Sequence, residues 1–410
     1  MKRSHRQIPL VALCCLVYFT SYITRTNYGA VMAELIPALG ITKPLASMAV
    51  TGSFITYGLG QLFCGWLGDR IQPRLMIAAG LFCTAVCNLI MPALSAPMPM
   101  AVLWSFNGFF QSMLWPPLIR MMADHMSAQE YASATVSVNA MASVGTIFVY
   151  LATPVCITLA SWRAAFLLPA AFGLLITLFW LASTKNYLSK PRTASAAEAS
   201  SVHLGRIVFF SALPITILAI LLQGIIRDGV TTWMPVYLME SFHISNRFSI
   251  LFSAILPLCS ILGIYLASWL DRAVGNELRS ACYLFAVAIL CGGILIPFWN
   301  RSVLLVLVLF SILYAAACGI NLMLISRVPQ HFRSYGCISV ISGLLNAFTY
   351  VGSSISSFSV GRLAESFNWQ TVLIFWTGAA VLGMLLTLLP IRRWDAFIHP
   401  GSGQSASKSE

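Results

Sequence analysis

The stretch IPLVALCCLVYFTSYITRTNYGAVM, residues 8–32, is apolar for most of its length and carries one arginine, Arg25. About 20 consecutive apolar residues are enough for an α-helix to cross the hydrocarbon core of a bilayer. The run does not alternate between apolar and polar residues, as a strand of a transmembrane barrel would. It therefore predicts a membrane-spanning helix with a permanent charge inside it.

The whole chain is also strongly apolar. Of its 410 residues, 59% are hydrophobic and 9% are charged, whereas soluble domains carry about 25% charged residues. Because lipid permits only helices or closed barrels to span it, the chain is predicted to be an all-α membrane protein. Twelve spans are predicted, at 8–32, 46–68, 74–94, 98–122, 133–158, 163–183, 207–239, 248–270, 278–298, 302–325, 336–361 and 369–391.

These spans fall into two groups of six. Residues 1–183 are predicted to form an N-terminal half and residues 207–393 a C-terminal half. The stretch between them, 184–206, is polar, basic and rich in small residues, which is typical of a flexible cytoplasmic linker. Residues 394–410 are predicted to be a flexible tail, and no separate soluble domain fits into the chain.

The net charge of +12 is distributed unevenly. Lysine and arginine residues cluster in alternate loops, which by the positive-inside rule places both termini in the cytoplasm and the protein in the cell membrane. This distribution argues against binding of nucleic acid. The first span is too long for a signal-peptide core and is predicted to be retained. We expect a monomer in the lipid bilayer.

The two halves repeat one another. Adding 202 to the position of Arg25 gives Arg227, and adding 202 to the pair Asp69–Arg70 gives the pair Asp271–Arg272. The pattern N-A-x-x-x-V-G at residues 139–145 recurs at 346–352, an offset of 207, and one short insertion reconciles the two offsets. Markers that recur in the same order indicate two pseudo-symmetric six-helix halves.

Arg25 and Arg227 are the two cations that lie deep within predicted spans. Placing one arginine at the centre of a transmembrane helix costs about 2.5–3.5 kcal/mol on membrane-insertion scales, so we expect these two residues to have a function that offsets this cost. The arginines could instead reach an interface or be paired internally. Transporters built from repeats bind substrate near the bilayer midplane, between the halves, which favours an anion site in which the two arginines face each other.

Asp228 follows Arg227 directly and is the acid predicted inside the membrane. Neighbouring residues on a helix point about 100° apart, so a good ion pair between these two side chains is not expected. Two cations against one anion leave a positive cavity, which suits phosphate, since guanidinium donates forked hydrogen bonds to its oxygens. The polar residues predicted to share the lining are Tyr22, Gln223, Thr231 and Asp228.

The loop GWLGDRIQPR, residues 65–74, combines an acid with two arginines, Arg70 and Arg74, after a helix end. We interpret it as a latch, in which Asp69 binds a neighbouring helix terminus or arginine in one access state and releases it in the other. Asp271 and Arg272 are the equivalent residues of the second half. Ordinary positive-inside charge would explain the arginines, but not an aspartate in both halves.

The same loop resembles the segment after the second helix of the major facilitator superfamily. Residues 108–120, GFFQSMLWPPLIR, resemble the fourth helix of the organophosphate:phosphate antiporter family, which includes glycerol-3-phosphate and hexose-phosphate transporters and related sugar-phosphate sensors. The similarity extends to Tyr57–Gly58 and to Trp162 with Phe166. It implies that Arg25 and Arg227 occupy the positions of the paired phosphate-binding arginines of that family.

The chain departs from the family at three positions. Glycerol-3-phosphate transporters tend to have a lysine after the first arginine, a lysine near the end of the second helix and a histidine in the fifth, whereas this chain has Thr26, Gln61 and Ala142. The missing imidazole puts a histidine-linked coupling step in doubt. Asp228 is an additional acid that could couple protons, neutralise an arginine or contact a substrate amine.

These observations predict a secondary active transporter of a small organic anion, a phosphate ester, working by alternating access. Exchange with inorganic phosphate is implied by the resemblance alone, and proton symport of a carboxylate or sugar acid is the alternative mechanism. A sugar-phosphate sensor that does not transport is the second class of function. The six histidines fall in loops or tails and no phosphate-cradling Walker loop is found, so neither an enzyme, a metal site nor a cofactor is expected.

Overall fold

A computed structural model describes residues 4–68, 71–187, 213–335 and 338–398, and within these ranges the chain is helical and has no strand. The helices are α1 (Ser4–Ile23), α2 (Asn27–Leu39), α3 (Lys43–Gly68), α4 (Pro73–Ile90), α5 (Pro97–Ser112), α6 (Trp115–His125), α7 (Ala128–Leu159), α8 (Ala164–Ser183), α9 (Leu213–Phe242), α10 (Asn246–Ser253), α11 (Ile255–Val274), α12 (Glu277–Phe298), α13 (Val303–Asn321), α14 (Ile338–Ser366), α15 (Trp369–Leu388) and α16 (Ile391–Ile398). After α13 the chain continues as a π-helical turn, Leu322–Arg327, and a 3₁₀ segment, Val328–Tyr335.

Within the described residues, helices α1 to α15 form twelve membrane crossings, and α16 is a short helix after the last of them. Three crossings are interrupted and consist of two helices each, namely α1 with α2, α5 with α6, and α10 with α11. Among the described residues, eight helical runs are long and apolar enough to cross a bilayer by length and composition alone. Large apolar side chains also lie on the outer surface of the bundle, such as Leu159, which is 81% exposed. The predicted integral membrane fold is therefore confirmed.

The helix pairing of the first half is repeated in the second. In the first half α1 packs on α7, α3 on α5 and α4 on α8. In the second half the equivalent crossings pack in the same way, α9 on α14, α11 on α13 and α12 on α15. The halves meet along α3 with α14 and along α7 with α10 and α11, which are again equivalent contacts.

The repeated N-A-x-x-x-V-G pattern ends at Gly145 and Gly352, where each half brings two helices close together. A Cβ atom on Gly145 would lie 2.9 Å from the Cβ of Tyr22, and one on Gly352 would lie 1.9 Å from the carbonyl oxygen of Leu221. These contacts pack α7 against α1 and α14 against α9, the helices that carry or flank the two arginines. The repeat therefore specifies the close packing beside each arginine.

The expected tail begins later than predicted. Residues 394–398 belong to α16, and Trp394 is fully buried, with its indole Nε1 donating to Glu277 Oε2 at 2.9 Å. Arg279 and Asp395 form an ion pair at 3.0 Å. The prediction of a flexible tail from residue 394 is wrong for this turn, because an amphipathic helix docks there. Residues 399–410, and positions 188–206 of the predicted linker, lie outside the described residues.

Candidate functional site

The first crossing is not the continuous helix predicted for residues 8–32. Helix α1 ends at Ile23 and α2 begins at Asn27, so Arg25 lies in the break between them. The Thr24 carbonyl oxygen accepts from the side-chain amides of Asn88, at 2.8 Å, and Asn107, at 3.2 Å. In a membrane, non-helical backbone persists only where the protein satisfies its polar groups, and these two amides do so.

Gln111 on α5 also stabilises the break in the first crossing. Its amide nitrogen donates to the Ser21 carbonyl oxygen at 3.1 Å and to Thr24 Oγ1 at 2.8 Å, and its amide oxygen accepts from Ser21 Oγ at 2.6 Å. Gln111 and Asn107 are buried. Asn88 and Asn107 are not among the site residues predicted from the sequence, although side-chain amides inside apolar spans are a signal of such helix-to-helix bonds.

Three tyrosines, which we call the tyrosine cage, surround the Arg25 guanidinium. Its Cζ lies 4.4 Å from the ring centroid of Tyr22, 4.9 Å from that of Tyr57 and 5.7 Å from that of Tyr350. One guanidinium nitrogen donates to the Tyr350 hydroxyl at 3.3 Å. Among the described residues no carboxylate lies within ion-pair distance of Arg25. The charge is therefore stabilised by aromatic faces, and a guanidinium has more N–H donors than the one bonded to Tyr350.

Arg227 is held differently, by the acid that follows it. Its Nε donates to Asp228 Oδ1 at 2.8 Å and its Nη2 donates to Asp228 Oδ2 at 2.9 Å. The expectation that neighbours on a helix would not pair is wrong here, because the long arginine side chain reaches around the helix to the carboxylate. Ser353 on α14 also donates to Asp228 Oδ2, at 2.5 Å.

Tyr350 connects the two arginines across the halves. It belongs to α14 in the second half, yet its hydroxyl accepts from Arg25 and its ring lies 4.4 Å from that of Tyr57 on α3. It is also close enough to Arg227 for the two groups to interact electrostatically. The structure thus brings Tyr22, Arg25, Arg227 and Asp228 to one region between the halves.

The other two residues predicted to line the site, Gln223 and Thr231, use their side chains to bond backbone carbonyl oxygens. Gln223 is fully buried, and its amide nitrogen donates to the Ala317 carbonyl oxygen on α13 at 2.9 Å, so it packs two helices together and does not line the site. The Thr231 hydroxyl donates to the Arg227 carbonyl oxygen of its own helix at 3.0 Å. The Tyr150 hydroxyl on α7 donates to the Thr231 carbonyl oxygen at 2.8 Å, a bond between the halves.

The residues predicted to form latches contact their own halves. Arg74 donates to the Leu181 carbonyl oxygen at 2.7 Å and to Thr184 Oγ1 at 3.1 Å, at the end of α8. Asp271 lies 4.0 Å from Arg327, and Arg272 donates to the Ser268 carbonyl oxygen of its own helix. Asp69 and Arg70 lie outside the described residues, so a switching role for this set stays a prediction.

A polar cluster joins the halves at the opposite end of the bundle from Arg74. Lys43 Nζ at the start of α3 lies 3.1 Å from Glu240 at the end of α9 and 3.6 Å from Glu365 at the end of α14. We call these three residues the Lys43 clasp. Beside it, Asn246 Nδ2 donates to Glu34 Oε2 at 2.5 Å, linking α10 to α2.

Comparisons with known proteins agree with this architecture. The chain is 24% identical to a probable hexose phosphate transport protein of Chlamydia muridarum (strain MoPn / Nigg), over 90% of this chain and 88% of that protein. It is also 24% identical to a glycerol-3-phosphate transporter of Bacillus subtilis (strain 168), over 91% of this chain and 89% of that protein. The resemblance to the organophosphate:phosphate antiporter family is therefore confirmed.

Solved structures show the same fold. The crystal structure of the nucleoside transporter NupG superposes with a TM-score of 0.73 over 93% of this chain and 99% of that chain, at 13% identity. Residues 14–342 match the family model of the Major Facilitator Superfamily. The matched range includes the break at Arg25, Tyr57 on α3 and the Arg227–Asp228 pair. The chain belongs to the Major Facilitator Superfamily.

Proposed function

We propose that this protein is a secondary transporter of a small phosphate ester and not an enzyme, and that it works by alternating access between its two halves. The observation that carries the proposal is the position of Arg25, a partly buried cation at a helix break between the halves with no carboxylate partner among the described residues. Burying such a charge is costly, and a bound anion would compensate it. The two curated relatives named above support a phosphate ester as that anion.

In this mechanism Arg25 and Arg227 contact the phosphoryl group from opposite halves. Tyr22 and Tyr350 would orient the Arg25 guanidinium, and Thr231 would stay near the second arginine without a direct bond to substrate. Because each arginine belongs to a different half, binding of one anion by both would draw the halves together and favour an occluded state. Exchange with inorganic phosphate is the proposed coupling, with proton symport through Asp228 as the alternative.

The Lys43 clasp is proposed to close the outer side of the protein. Basic residues cluster at the Arg74 end, so that end and both termini are proposed to be cytoplasmic. The clasp then holds together the outer ends of α3, α9 and α14, and substrate enters or leaves from the cytoplasm. Asp69, Arg70 and Arg74, with Asp271 and Arg272, are proposed to form the latches of the opposite access state.

Replacing Lys43 by methionine is expected to loosen the outer side. Partly exposed ion pairs contribute about 0.2–1 kcal/mol each. Losing two would therefore lower the equilibrium constant for closing the outer side by roughly twofold to thirtyfold. Hydrogen exchange in nanodiscs should become faster in peptides containing Glu240 and Glu365. Arg301→Met, which removes an exposed cation from a loop, is the control. Unchanged exchange in the Lys43 variant would contradict the clasp.

Counterflow in proteoliposomes tests the function. Vesicles containing the purified protein and loaded with unlabelled phosphate ester are expected to accumulate the labelled ester transiently, and inorganic phosphate inside should drive the same uptake. Glycerol 3-phosphate and glucose 6-phosphate are the probes. Binding of either ester without any counterflow would identify a sensor and overturn the transport proposal, and uptake driven only by a proton gradient would replace exchange with symport.

A further inference from the structure

The repeat places unlike residues after its two arginines. Thr26 follows Arg25, whereas Asp228 follows Arg227 at the equivalent position, so one arginine has an acid beside it and the other does not. The structure makes this difference electrostatic. Asp228 receives two guanidinium hydrogen bonds from Arg227, whereas Arg25 is bonded to a neutral tyrosine hydroxyl.

Asp228 is held in its ionised form by its contacts. A carboxylate that accepts a forked pair of bonds from guanidinium and a third bond from a hydroxyl is a charge-assisted arrangement that a protonated acid could not complete. Arg227 and Asp228 are each only 15% exposed, so their charges are little screened by water. Together they contribute a net charge of zero to the site.

Arg25 then supplies the remaining charge. Its surroundings are three tyrosines, Tyr22 on its own crossing, Tyr57 on α3 and Tyr350 on α14, and among the described residues no carboxylate lies within ion-pair distance of it. Within the described ranges the site therefore has a net charge of +1. A dianion bound there would leave one negative charge buried and uncompensated, which costs several kcal/mol, whereas a monoanion would be neutralised.

We propose that the site takes its substrate as a monoanion, a phosphoryl group with a single negative charge, because Asp228 neutralises Arg227. This inference rests on the proposed function and narrows its substrate class. Such a group is either a phosphate monoester that has kept one proton or a phosphodiester, which stays singly charged. Asp228 is a positioning residue in this account, since it sets the charge of the site without touching the substrate.

Phosphate monoesters titrate near neutral pH, which makes the proposal measurable. With a second phosphate pKa of about 6, the singly charged fraction falls roughly fifteenfold between pH 6.0 and 7.5. The charged and titratable groups that interact with Asp228 are Arg227 beside it, Arg25 on the first crossing, and Tyr314 and Cys318 on α13. Ordinary tyrosine and cysteine pKa values lie above this range, so the substrate is the group expected to titrate.

The experiment measures equilibrium binding to the purified protein at pH 6.0 and 7.5. The probes are glycerol 3-phosphate and its methyl diester. For the natural sequence, the Kd of the monoester should rise about fifteenfold with pH, and the Kd of the diester should change by less than about twofold. Binding of the monoester that is unchanged or tighter at pH 7.5 would overturn the proposal.

Variants test the role of Asp228 directly. Asp228→Asn is expected to abolish or reverse the pH dependence of monoester binding, because a site with charge +2 prefers the dianion. Ser353→Ala removes a hydrogen bond to Asp228 but no charge, and should keep the fifteenfold change. If Asp228→Asn does not fold, Asp228→Ser replaces it.

If folded Asp228→Asn or Asp228→Ser keeps the fifteenfold rise in the Kd of the monoester between pH 6.0 and 7.5, the inference is contradicted. Failure of both esters to bind at any pH would instead overturn the proposed function itself, and the inference with it. Binding of the diester alone would identify phosphodiesters as the substrate class and support the monoanion requirement.

Discussion

Arg25→Lys is expected to reduce transport by roughly tenfold to a hundredfold while the protein remains folded. Lysine keeps the positive charge but loses the planar fork that can donate to a phosphoryl group and lie against aromatic faces at the same time. In the structure the guanidinium lies 4.4 Å from the Tyr22 ring and 4.9 Å from the Tyr57 ring. Losing one or more charged hydrogen bonds costs about 1.5–3 kcal/mol, which corresponds to this range.

The measurement is the initial rate of counterflow as a function of ester concentration, compared with the amount of folded protein in the vesicles. Arg163→Lys is a matched control. The Arg163 guanidinium also lies over an aromatic ring, 4.6 Å from that of Trp162, and donates to the Pro92 carbonyl oxygen at 2.9 Å. Arg163 lies away from the proposed site, so the Arg163→Lys protein should transport at the normal rate. Near-normal transport by the Arg25 variant would be incompatible with an anion site built on this residue.

The sequence was sufficient to predict the crossings, the duplication and the position of the two arginines inside the helix bundle. Each of these follows from a local cost or a regular pattern: apolar length for the crossings, a fixed offset for the halves, and the expense of a buried charge for Arg25 and Arg227. The pairing of equivalent helices then follows from the duplication, because the same residues recur at the same contacts. Gly145 and Gly352 are an example, since both lie where two helices approach closely.

The break around Arg25 could not be predicted in the same way. Neither glycine nor proline occurs in the segment SYITRTN, residues 21–27, so nothing local indicates an interrupted helix. The break is stabilised by Asn88 and Gln111, which lie on other helices and are brought there by the fold. Its position is therefore a property of the packed half.

The Arg227–Asp228 pair was missed for a different reason. Helix geometry correctly separates the two Cα–Cβ directions, but it ignores the reach of the arginine side chain and the hydroxyl of Ser353, which fixes the carboxylate from another helix. Likewise, the prediction of a flexible tail from residue 394 is wrong for its first residues, because Trp394 fills a buried position against Glu277. In both cases a contact distant in sequence decided the outcome.

Gly352→Ala is expected to prevent most of the protein from folding. A Cβ atom at this position would lie 1.9 Å from the carbonyl oxygen of Leu221 and 3.2 Å from the backbone nitrogen of Ile225. Both atoms are backbone atoms of α9, so no rotamer change can relieve the clash and α14 would have to move away. Overpacking of this kind costs about 1–3 kcal/mol and sometimes more. The yield of monodisperse protein and its Tm in detergent are the measurements.

Two other glycines make the test specific. Gly378 on α15 has no atom within 4 Å of a built Cβ, and Gly378→Ala should be neutral or slightly stabilising, because alanine favours helix over glycine by about 0.8–1.0 kcal/mol. At Gly145 the nearest atom is the Cβ of Tyr22, at 2.9 Å, so the stability of Gly145→Ala should fall between those of Gly352→Ala and Gly378→Ala.

Displacing α14 would also move Tyr350 and Ser353, which contact Arg25 and Asp228. Any Gly352→Ala protein that does fold should therefore bind phosphate ester weakly, and full stability with normal binding would show that α14 does not hold these side chains in place.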